Sequence, residues 1–133
     1  RSGTAPEATR GNFDLEHLKA IHQHTFQDVY QWAGTTRAEL LQIDGKTEKQ
    51  PELLMKGTTV FTFASEVNPK LDLTFRRIAE NDHYRGLSRE DFCQKAAETL
   101  SELNNAHPFR EGNGRTQREF MSQLGEQAGH PLT

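Results

Sequence analysis

Hydrophobic side chains in the first third of the chain recur at steps of three and four residues, a spacing that places them on one face of a helix. Asp14 stands directly before this stripe as a capping residue, and Ala33-Gly34 follows it as a stop signal. The pattern predicts a helix that starts at Asp14 and runs to about Gln31. Its predicted buried stripe consists of Leu15, Leu18, Ile21, His22, Phe26, Val29 and Trp32.

The helical periodicity fades over residues 35–63. Two pairs with turn chemistry, Asp44-Gly45 and Lys56-Gly57, interrupt this segment, and the β-favouring run TTVFTF fills residues 58–63. We therefore predict an extended arm or hairpin between the first and second helices.

Helical signals return in the second half of the chain. Asn68-Pro69 combines a capping residue with a proline suited to a first helical turn, and it predicts a second helix that ends near Asp82. Ser88 and Asp91 form a variant capping pair that opens a third helix running through Asn104. The predicted buried face of this third helix comprises Phe92, Cys93, Ala96, Leu100 and Leu103.

The third helix is expected to stop before His107, because Pro108 disfavours helical geometry in the residue that precedes it. A fourth helix is expected to start within residues 112–114 and to stop at Gly125 or Gly129. Together these elements predict an all-α domain with one extended arm.

The bulk composition fits a single small domain, since 133 residues lie below the length at which chains usually divide. Residues 1–11 are polar and small, so we predict a flexible lead-in there and the folded domain over residues 12–133. A net charge of -3 argues against the basic face that nucleic-acid binding requires. No apolar run approaches the roughly 18 residues of a membrane span. The single cysteine, Cys93, is predicted to lie in the core.

Residues 107–118 read HPFREGNGRTQR and combine groups suited to phosphate chemistry. Unpaired backbone N–H groups at the start of the fourth helix, together with the helix dipole, make Gly112, Asn113 and Gly114 a candidate anion cradle. Arg115 and Arg118 lie three residues apart on one helical face, where two guanidinium groups can grip a polyphosphate.

Two further residues complete the candidate site. Glu111 precedes the cradle, where a carboxylate is suited to hold a magnesium ion that bridges phosphates. His107, with an ordinary pKa of about 6.5, is suited to take a proton from an incoming hydroxyl. Each of these residues alone is common in helix stops and solvated turns, but their conjunction in one loop favours a site for in-line attack on a nucleotide phosphate.

The stretch at 107–118 matches the Fic-domain signature, HPF-x-(D/E)-GNGR-x-x-R, at every defined position. The segment FQDVYQWAGTTR at 26–37 resembles the part of this family that follows the first core helix, and LSREDF at 87–92 resembles the start of the helix leading into the signature. The chain is thus similar to Fic domains over nearly its whole length. The sequence of this stretch is most similar to the Fic domains of bacterial type IV secretion effectors and their toxin relatives, often called Bep-type.

The resemblance implies the Fic fold, a helical bundle with a β-hairpin flap over the active site. It implies transfer of AMP from ATP with Mg²⁺ to a Ser, Thr or Tyr hydroxyl of a target protein, with release of pyrophosphate. His107 would be the general base, and Glu111 would hold Mg²⁺ between the α- and β-phosphates. The implied phosphate contacts are Gly112, Asn113 and Gly114 as the anion hole, Arg115 at the β-phosphate and Arg118 at the γ-phosphate.

Two other features of the chain acquire a meaning from the resemblance. The kinase-like branch of the family carries a lysine or alanine at the position of Gly114, so a glycine there favours adenylylation over phosphorylation. The flap, which holds the backbone of the target by strand addition, would fall within the arm at 35–63. Its implied docking residues are Lys56, Gly57, Thr58, Thr59, Val60 and Phe61.

Several alternatives stay open for partners, location and function. A small GTPase is one family-like target, and no stretch here fits the inhibitory pattern (S/T)-x-x-x-E-(G/N) of many relatives. The resemblance therefore implies a separate small antitoxin-like inhibitory protein or an inhibitory segment outside this chain. It also implies action in the bacterial cytoplasm, or in a host cell after secretion through parts outside this chain. The alternative functions are transfer of another nucleotide or phosphate group, as in a kinase, and a catalytically quiet nucleotide-binding interaction module.

Overall fold

The first helix begins where its capping residue predicts. In the computed structural model, which describes residues 5–131, the Asp14 carboxylate accepts a hydrogen bond from the His17 backbone N–H at 2.9 Å. This bond caps helix α1, Leu15–Phe26, by satisfying one of the N–H groups that a helix start leaves unpaired. The predicted position of the cap is confirmed.

Helix α1 ends at Phe26, so the predicted extension to Gln31 is wrong. The backbone N–H groups of Val29 and Tyr30 both donate to the Phe26 carbonyl at 2.9 Å, which turns the chain. Tyr30 then stacks on Trp32 with 4.4 Å between ring centroids. The side chain of Val29 is left 67% exposed by this turn and does not belong to the buried stripe.

The second helix, α2, spans Ala64–Glu80 and begins before the predicted start at Asn68-Pro69, which is wrong. A distant residue supplies its cap, because the Glu52 carboxylate accepts bonds from the backbone N–H and hydroxyl of Ser65 at 3.2 and 2.9 Å. Pro69 therefore lies inside the helix, where it removes one backbone hydrogen bond. A cap contributed from twelve positions upstream of the helix leaves no local sequence signal.

The third and fourth helices match their sequence signals closely. Helix α3 spans Arg89–Ala106, and the Ser88 hydroxyl accepts from the Asp91 backbone N–H at 3.1 Å, as predicted. Helix α4 spans Asn113–Ala128 and ends at Gly129, whose φ of 85° lies in the left-handed region that favours glycine. The all-α class is confirmed by these four helices within residues 5–131.

The buried face of α3 is narrower than predicted. Phe92, Ala96 and Leu103 are buried, but Cys93 is exposed and Leu100 is 40% exposed. The buried residues follow one line of three- and four-residue steps, whereas Cys93 and Leu100 lie one residue or more to its side. The assignment of Cys93 to the core is therefore wrong.

The predicted arm at 35–63 consists of two short antiparallel hairpins. Their strands are β1 Leu41–Ile43, β2 Lys46–Glu48, β3 Met55–Lys56 and β4 Thr59–Val60. The first hairpin turns at Asp44 and Gly45, both at positive φ (51° and 76°), as expected for the tight turn that this pair favours. The run at 58–63 is a strand only over its second and third residues.

The four helices form a closed ring in which each packs against two others: α1 on α2 and α4, and α3 on α2 and α4. The hydrophobic core lies between the four helices. Within it, the aromatic ring of Phe120 on α4 lies 5.5 Å from that of Phe13 and 5.6 Å from that of Phe75, measured between centroids. No helix within residues 5–131 has the length and apolar character needed to cross a membrane.

The segment before α1 lies against the helices. Residues 1–4 of the predicted lead-in lie outside the described part of the chain, but a 3-10 turn, Glu7–Thr9, contacts α1. The buried Thr9 carbonyl accepts a bond from Gln123 Nε2 of α4 at 2.9 Å. This contact places the segment beside the face of α4 that carries Arg115 and Arg118.

We expect Phe120→Ala to lower the free energy of unfolding by about 3–5 kcal/mol, because truncation leaves a cavity among packed aromatic rings. Leu73→Ala on α2 is the matched control, since Leu73 is 56% exposed and its loss should cost below about 0.5 kcal/mol. Urea denaturation followed by circular dichroism measures both. Equal effects of the two substitutions would contradict the assignment of the core.

Candidate active site

One buried amide closes the loop between α3 and α4. Asn113 Oδ1 accepts from the Phe109 backbone N–H at 2.8 Å, and Asn113 Nδ2 donates to the Phe109 carbonyl at 2.6 Å. The Phe109 ring is itself buried and stacks on His22 of α1 with 3.9 Å between centroids. The loop is thus held at its centre, while its two ends carry the candidate catalytic and phosphate-binding groups.

Both the backbone conformation and the surroundings of Gly112 disfavour any other residue. Its φ of 85° lies in the left-handed region, and a Cβ there would come within 2.4 Å of the Phe26 ring. This geometry lets α4 begin at Asn113 directly behind the loop, with the Gly112 carbonyl accepting from Thr116 Oγ1 at 2.9 Å. The N–H groups of the first turn, which include those of Asn113 and the exposed Gly114, have no intrahelical acceptor and can bind an anion.

Arg115 and Arg118 share one cavity beside this helix start. Its volume is about 430 Å³, and it is lined by Pro6, Thr9, Thr25, Arg115, Arg118, Glu119 and Ser122. The Arg115 guanidinium carbon lies 5.4 Å from the centroid of the Phe26 ring, a cation–π contact that orients the side chain. A Cβ at Gly114 would stand 3.2 Å from Arg118 Nη1, so the second guanidinium lies directly over the glycine.

His107 stands at the other end of the loop in an unusual backbone conformation. It follows the last residue of α3 with φ 47° and ψ 66°, in the left-handed region that few residues other than glycine adopt. Its imidazole stacks on the Phe61 ring with 3.8 Å between centroids and an angle of 14° between planes. The buried Nδ1 makes no hydrogen bond within residues 5–131.

The surroundings of His107 favour its neutral form. Burial lowers the pKa of the imidazole, and the backbone of Asn104 opposes this shift. The positive charges of Arg37 and Lys56 lower the pKa further, against an opposing contribution from the Glu111 carboxylate. The resulting pKa lies below the ordinary 6.5, so the ring is a proton acceptor at neutral pH.

Glu111 has a fixed backbone and an exposed side chain. Its carbonyl lies 2.9 Å from His22 Nε2, while His22 Nδ1 accepts from the Gly34 backbone N–H at 2.8 Å. Because Nδ1 is the acceptor, Nε2 carries the proton and donates to Glu111, and burial lowers the pKa of His22 so that this neutral tautomer persists. Within residues 5–131 no three His, Cys, Asp or Glu side chains converge as a metal cluster.

The second hairpin, β3–β4, supplies the flap side of the site. It brings Phe61 onto the imidazole of His107, and the charge of Lys56 acts on the same ring. Gly57 makes the turn with φ 64°. The predicted docking residues Thr58, Thr59 and Val60 are exposed at its tip and second strand.

Sequence reasoning missed three residues that shape the site. Phe26 supports Gly112 and Arg115, His22 fixes the Glu111 carbonyl, and the buried Arg37 donates to backbone carbonyls beside His107. His22 and Phe26 were visible only as members of an apolar stripe, which predicts burial and not a polar contact. Arg37 lies in the segment at 26–37 that resembles the family, but no local pattern connects it to the loop 70 residues later.

Comparisons with known proteins agree with this architecture. The family model described as "Fic/DOC family" matches residues 12–124. Protein adenylyltransferase VbhT of Bartonella schoenbuchensis is 40% identical to this chain over 122 residues, which cover 92% of this chain and 23% of VbhT. The chain thus spans less than a quarter of the length of that relative.

Two solved structures of Bartonella effectors superpose on the chain. The BepC protein of Bartonella tribocorum, solved with bound AMPPNP, gives a TM-score of 0.88 at 31% identity and covers 96% of this chain and 61% of that one. The N-terminal Fic domain of a VirB-translocated Bep effector from Bartonella quintana, solved with bound ADP, gives a TM-score of 0.88 at 38% identity, covering 96% and 60%. With its family match, its relatives and its fold in agreement, the chain belongs to the Fic/DOC family.

Proposed function

We propose that this chain is the catalytic domain of a protein adenylyltransferase, which transfers AMP from ATP to a Ser, Thr or Tyr hydroxyl of a target protein. One observation carries the proposal: a half-buried imidazole with a lowered pKa and an open helix N-terminus stand at the two ends of one closed loop. The name of VbhT supports the same reaction, and the AMPPNP bound to BepC supports binding of ATP.

The nucleotide phosphates lie on the first turn of α4. Backbone N–H groups of Gly112, Asn113 and Gly114 surround the α-phosphate region, and the helix dipole adds partial positive charge there. Arg115 binds the β-phosphate and Arg118 the γ-phosphate, in keeping with their shared cavity. Two arginine forks thereby hold the pyrophosphate leaving group in place.

Glu111 is the residue suited to hold magnesium. Its carboxylate is exposed beside the cradle, and Mg²⁺ is commonly held by one or two carboxylates together with phosphate oxygens and water. The donor set of this loop fits that description, with a single protein carboxylate and the nucleotide supplying the rest. Glu111 would hold the ion next to the bound phosphates, and the positive charge of the ion would offset part of their negative charge.

His107 acts as the general base. Its neutral imidazole accepts the proton of the target hydroxyl as the hydroxyl oxygen forms a bond to the α-phosphorus. The bond between the α-phosphorus and the oxygen that bridges to the β-phosphate breaks, and pyrophosphate leaves with that electron pair. Phe61 covers one face of the imidazole and keeps water away from it, which favours the protein hydroxyl as the acceptor.

The target binds along the flap formed by β3–β4. Extended target backbone adds to the edge of this hairpin, with the exposed residues from Lys56 to Val60 in contact, and a small GTPase is one class of target. Phe61, which the sequence also predicts to dock, is buried against His107. A separate small inhibitory protein would act at Arg118, where blocking the γ-phosphate prevents productive binding of ATP. The two Bartonella proteins of known structure described above are VirB-translocated effectors, which supports secretion of the full protein into a host cell.

We expect His107→Ala to abolish AMP transfer while ATP binding persists, because the substitution removes the base and leaves the phosphate cradle intact. The chain and the variant are incubated with α-labelled or γ-labelled ATP and with bacterial or host-cell lysate. Transfer of the α-label alone, lost in the variant, is the expected result. Transfer of the γ-label would indicate a kinase, and retained ATP binding without transfer would indicate a quiet binding module.

The pH dependence of transfer should report the lowered pKa of His107. The base must be neutral, so kcat/KM should fall as pH decreases through a pKa below 6.5, and activity should persist between 6.5 and that value. Phe61→Ala hydrates the ring and should move this acidic limb upward. An acidic limb at or above 6.5 in the unsubstituted chain would contradict the assignment.

Gly114→Ala should separate nucleotide affinity from stability. The added Cβ displaces the Arg118 guanidinium, so the Kd for ATP should rise about tenfold, as for loss of one charge-assisted hydrogen bond. The free energy of unfolding should rise by less than about 0.5–1 kcal/mol, the gain expected in the middle of a helix, because Gly114 lies in the first turn of α4. Titration calorimetry and urea denaturation measure the two effects. An unchanged Kd, or a less stable variant, would contradict this account.

A further inference from the structure

Arg37 is a charged side chain buried at the centre of the site, with 4% of its surface exposed. Its guanidinium donates to three backbone carbonyls: Nε to His107 at 2.7 Å, and Nη2 to Ala106 at 2.9 Å and to Thr62 at 2.5 Å. Its own backbone N–H donates to the Pro108 carbonyl at 2.8 Å. One residue therefore binds three consecutive positions around the base and one position in the flap.

We propose that Arg37 is a positioning residue, whose guanidinium sets the orientation of His107 and joins it to the base of the flap. This inference rests on the function proposed above and assigns it a residue outside the loop at 107–118.

The contacts of Arg37 meet a specific need of the backbone. The last carbonyls of a helix have no intrahelical donor and carry partial negative charge, so a buried cation is favourable at the end of α3. His107 follows in a left-handed conformation, which costs free energy in a residue that is not glycine and persists only where its surroundings hold it. The planar guanidinium reaches the carbonyls of Ala106 and His107 together, which a lysine ammonium on a flexible stem does not do with fixed geometry.

The same guanidinium also fixes the surface that covers the base. Thr62 directly follows Phe61, and Phe61 stacks on the His107 imidazole. Binding the Thr62 carbonyl therefore holds the covering ring at a fixed height above the imidazole. A movement of the flap would therefore shift the Arg37 guanidinium and, through it, the backbone of His107.

The positive charge of Arg37 favours the neutral form of His107, in addition to the effect of its hydrogen bonds on the position of that residue. Arginine stays protonated in proteins, and this positive charge lowers the pKa of His107. The other charged groups that act on the imidazole are Lys56 of the flap, which also lowers the pKa, and Glu111, which raises it. Arg37 thus supports a neutral base both by orienting the ring and by its charge.

Two substitutions separate the geometric contribution of Arg37 from its charge, with one control. Arg37→Gln removes both, whereas Arg37→Lys keeps the charge and loses the planar fork. Arg77→Gln is the matched control, because Arg77 lies on α2 in a surface ion pair with Glu102, away from the site. Circular dichroism sets an assay temperature at which all variants are folded.

We expect kcat for AMP transfer to fall about tenfold or more in both Arg37 variants, because misplacement of a base by a fraction of an ångström suffices for such a loss. The Kd for ATP should stay within about twofold, since the cradle at the start of α4 does not contact Arg37. The pKa of His107, followed by NMR of its Cε1–H signal, should rise in Arg37→Gln and remain unchanged in Arg37→Lys. Arg77→Gln should alter none of the three quantities.

The measurements test the positioning role of Arg37 separately from the proposed function of AMP transfer. If folded Arg37→Gln keeps both kcat and the pKa of His107, or if both Arg37 variants lose ATP affinity in proportion to kcat, the positioning role is overturned. If Arg37→Gln does not fold, Arg37→Lys alone decides through the split between kcat and Kd. If the unsubstituted chain transfers no AMP, the proposed function fails, while the NMR measurement still tests whether Arg37 controls His107.

Discussion

The site depends on the buried pair of hydrogen bonds between the Asn113 amide and the backbone of Phe109. A turn between two packed helices buries peptide groups that neither helix can satisfy, and an unpaired buried peptide group costs about 1–3 kcal/mol. The amide satisfies a donor and an acceptor at once. These two bonds allow a polar loop to pass through the core, with the general base His107 at one end of the loop and the N-terminus of α4 at the other.

Elements from three other parts of the chain then hold this loop. In helix α1, the Phe26 ring packs against Gly112 and the His22 imidazole binds the Glu111 carbonyl. The segment after α1 contributes a buried guanidinium, and the second hairpin contributes the ring that covers His107. Local sequence thus provides the chemical groups, while distant residues provide their fixed positions and their altered proton affinity.

This division explains what the sequence predicts well. The caps at Asp14 and Ser88, the end of α3 before Pro108 and the left-handed glycine at Gly129 depend on neighbours within four residues, and each lies where its pattern indicates. The start of α2 depends on Glu52, far upstream, so its prediction from Asn68 is wrong. Asn68 instead accepts a hydrogen bond from Thr36. The loop at 107–118 is recognisable because its chemistry is contiguous, whereas Arg37 and His22 act on it from far away in sequence.

The contact between Gly112 and the Phe26 ring makes two distant positions thermodynamically coupled. Truncating Phe26 opens the space that a side chain at 112 would need, so the costs of changing the two residues are not additive. The relief is partial, because any L-residue at φ 85° keeps a backbone cost of about 1–2 kcal/mol. Truncating Phe26 also removes the aromatic partner of Arg115. Sequence change at the start of α4 is thus limited by a residue of α1 that itself has no role in chemistry.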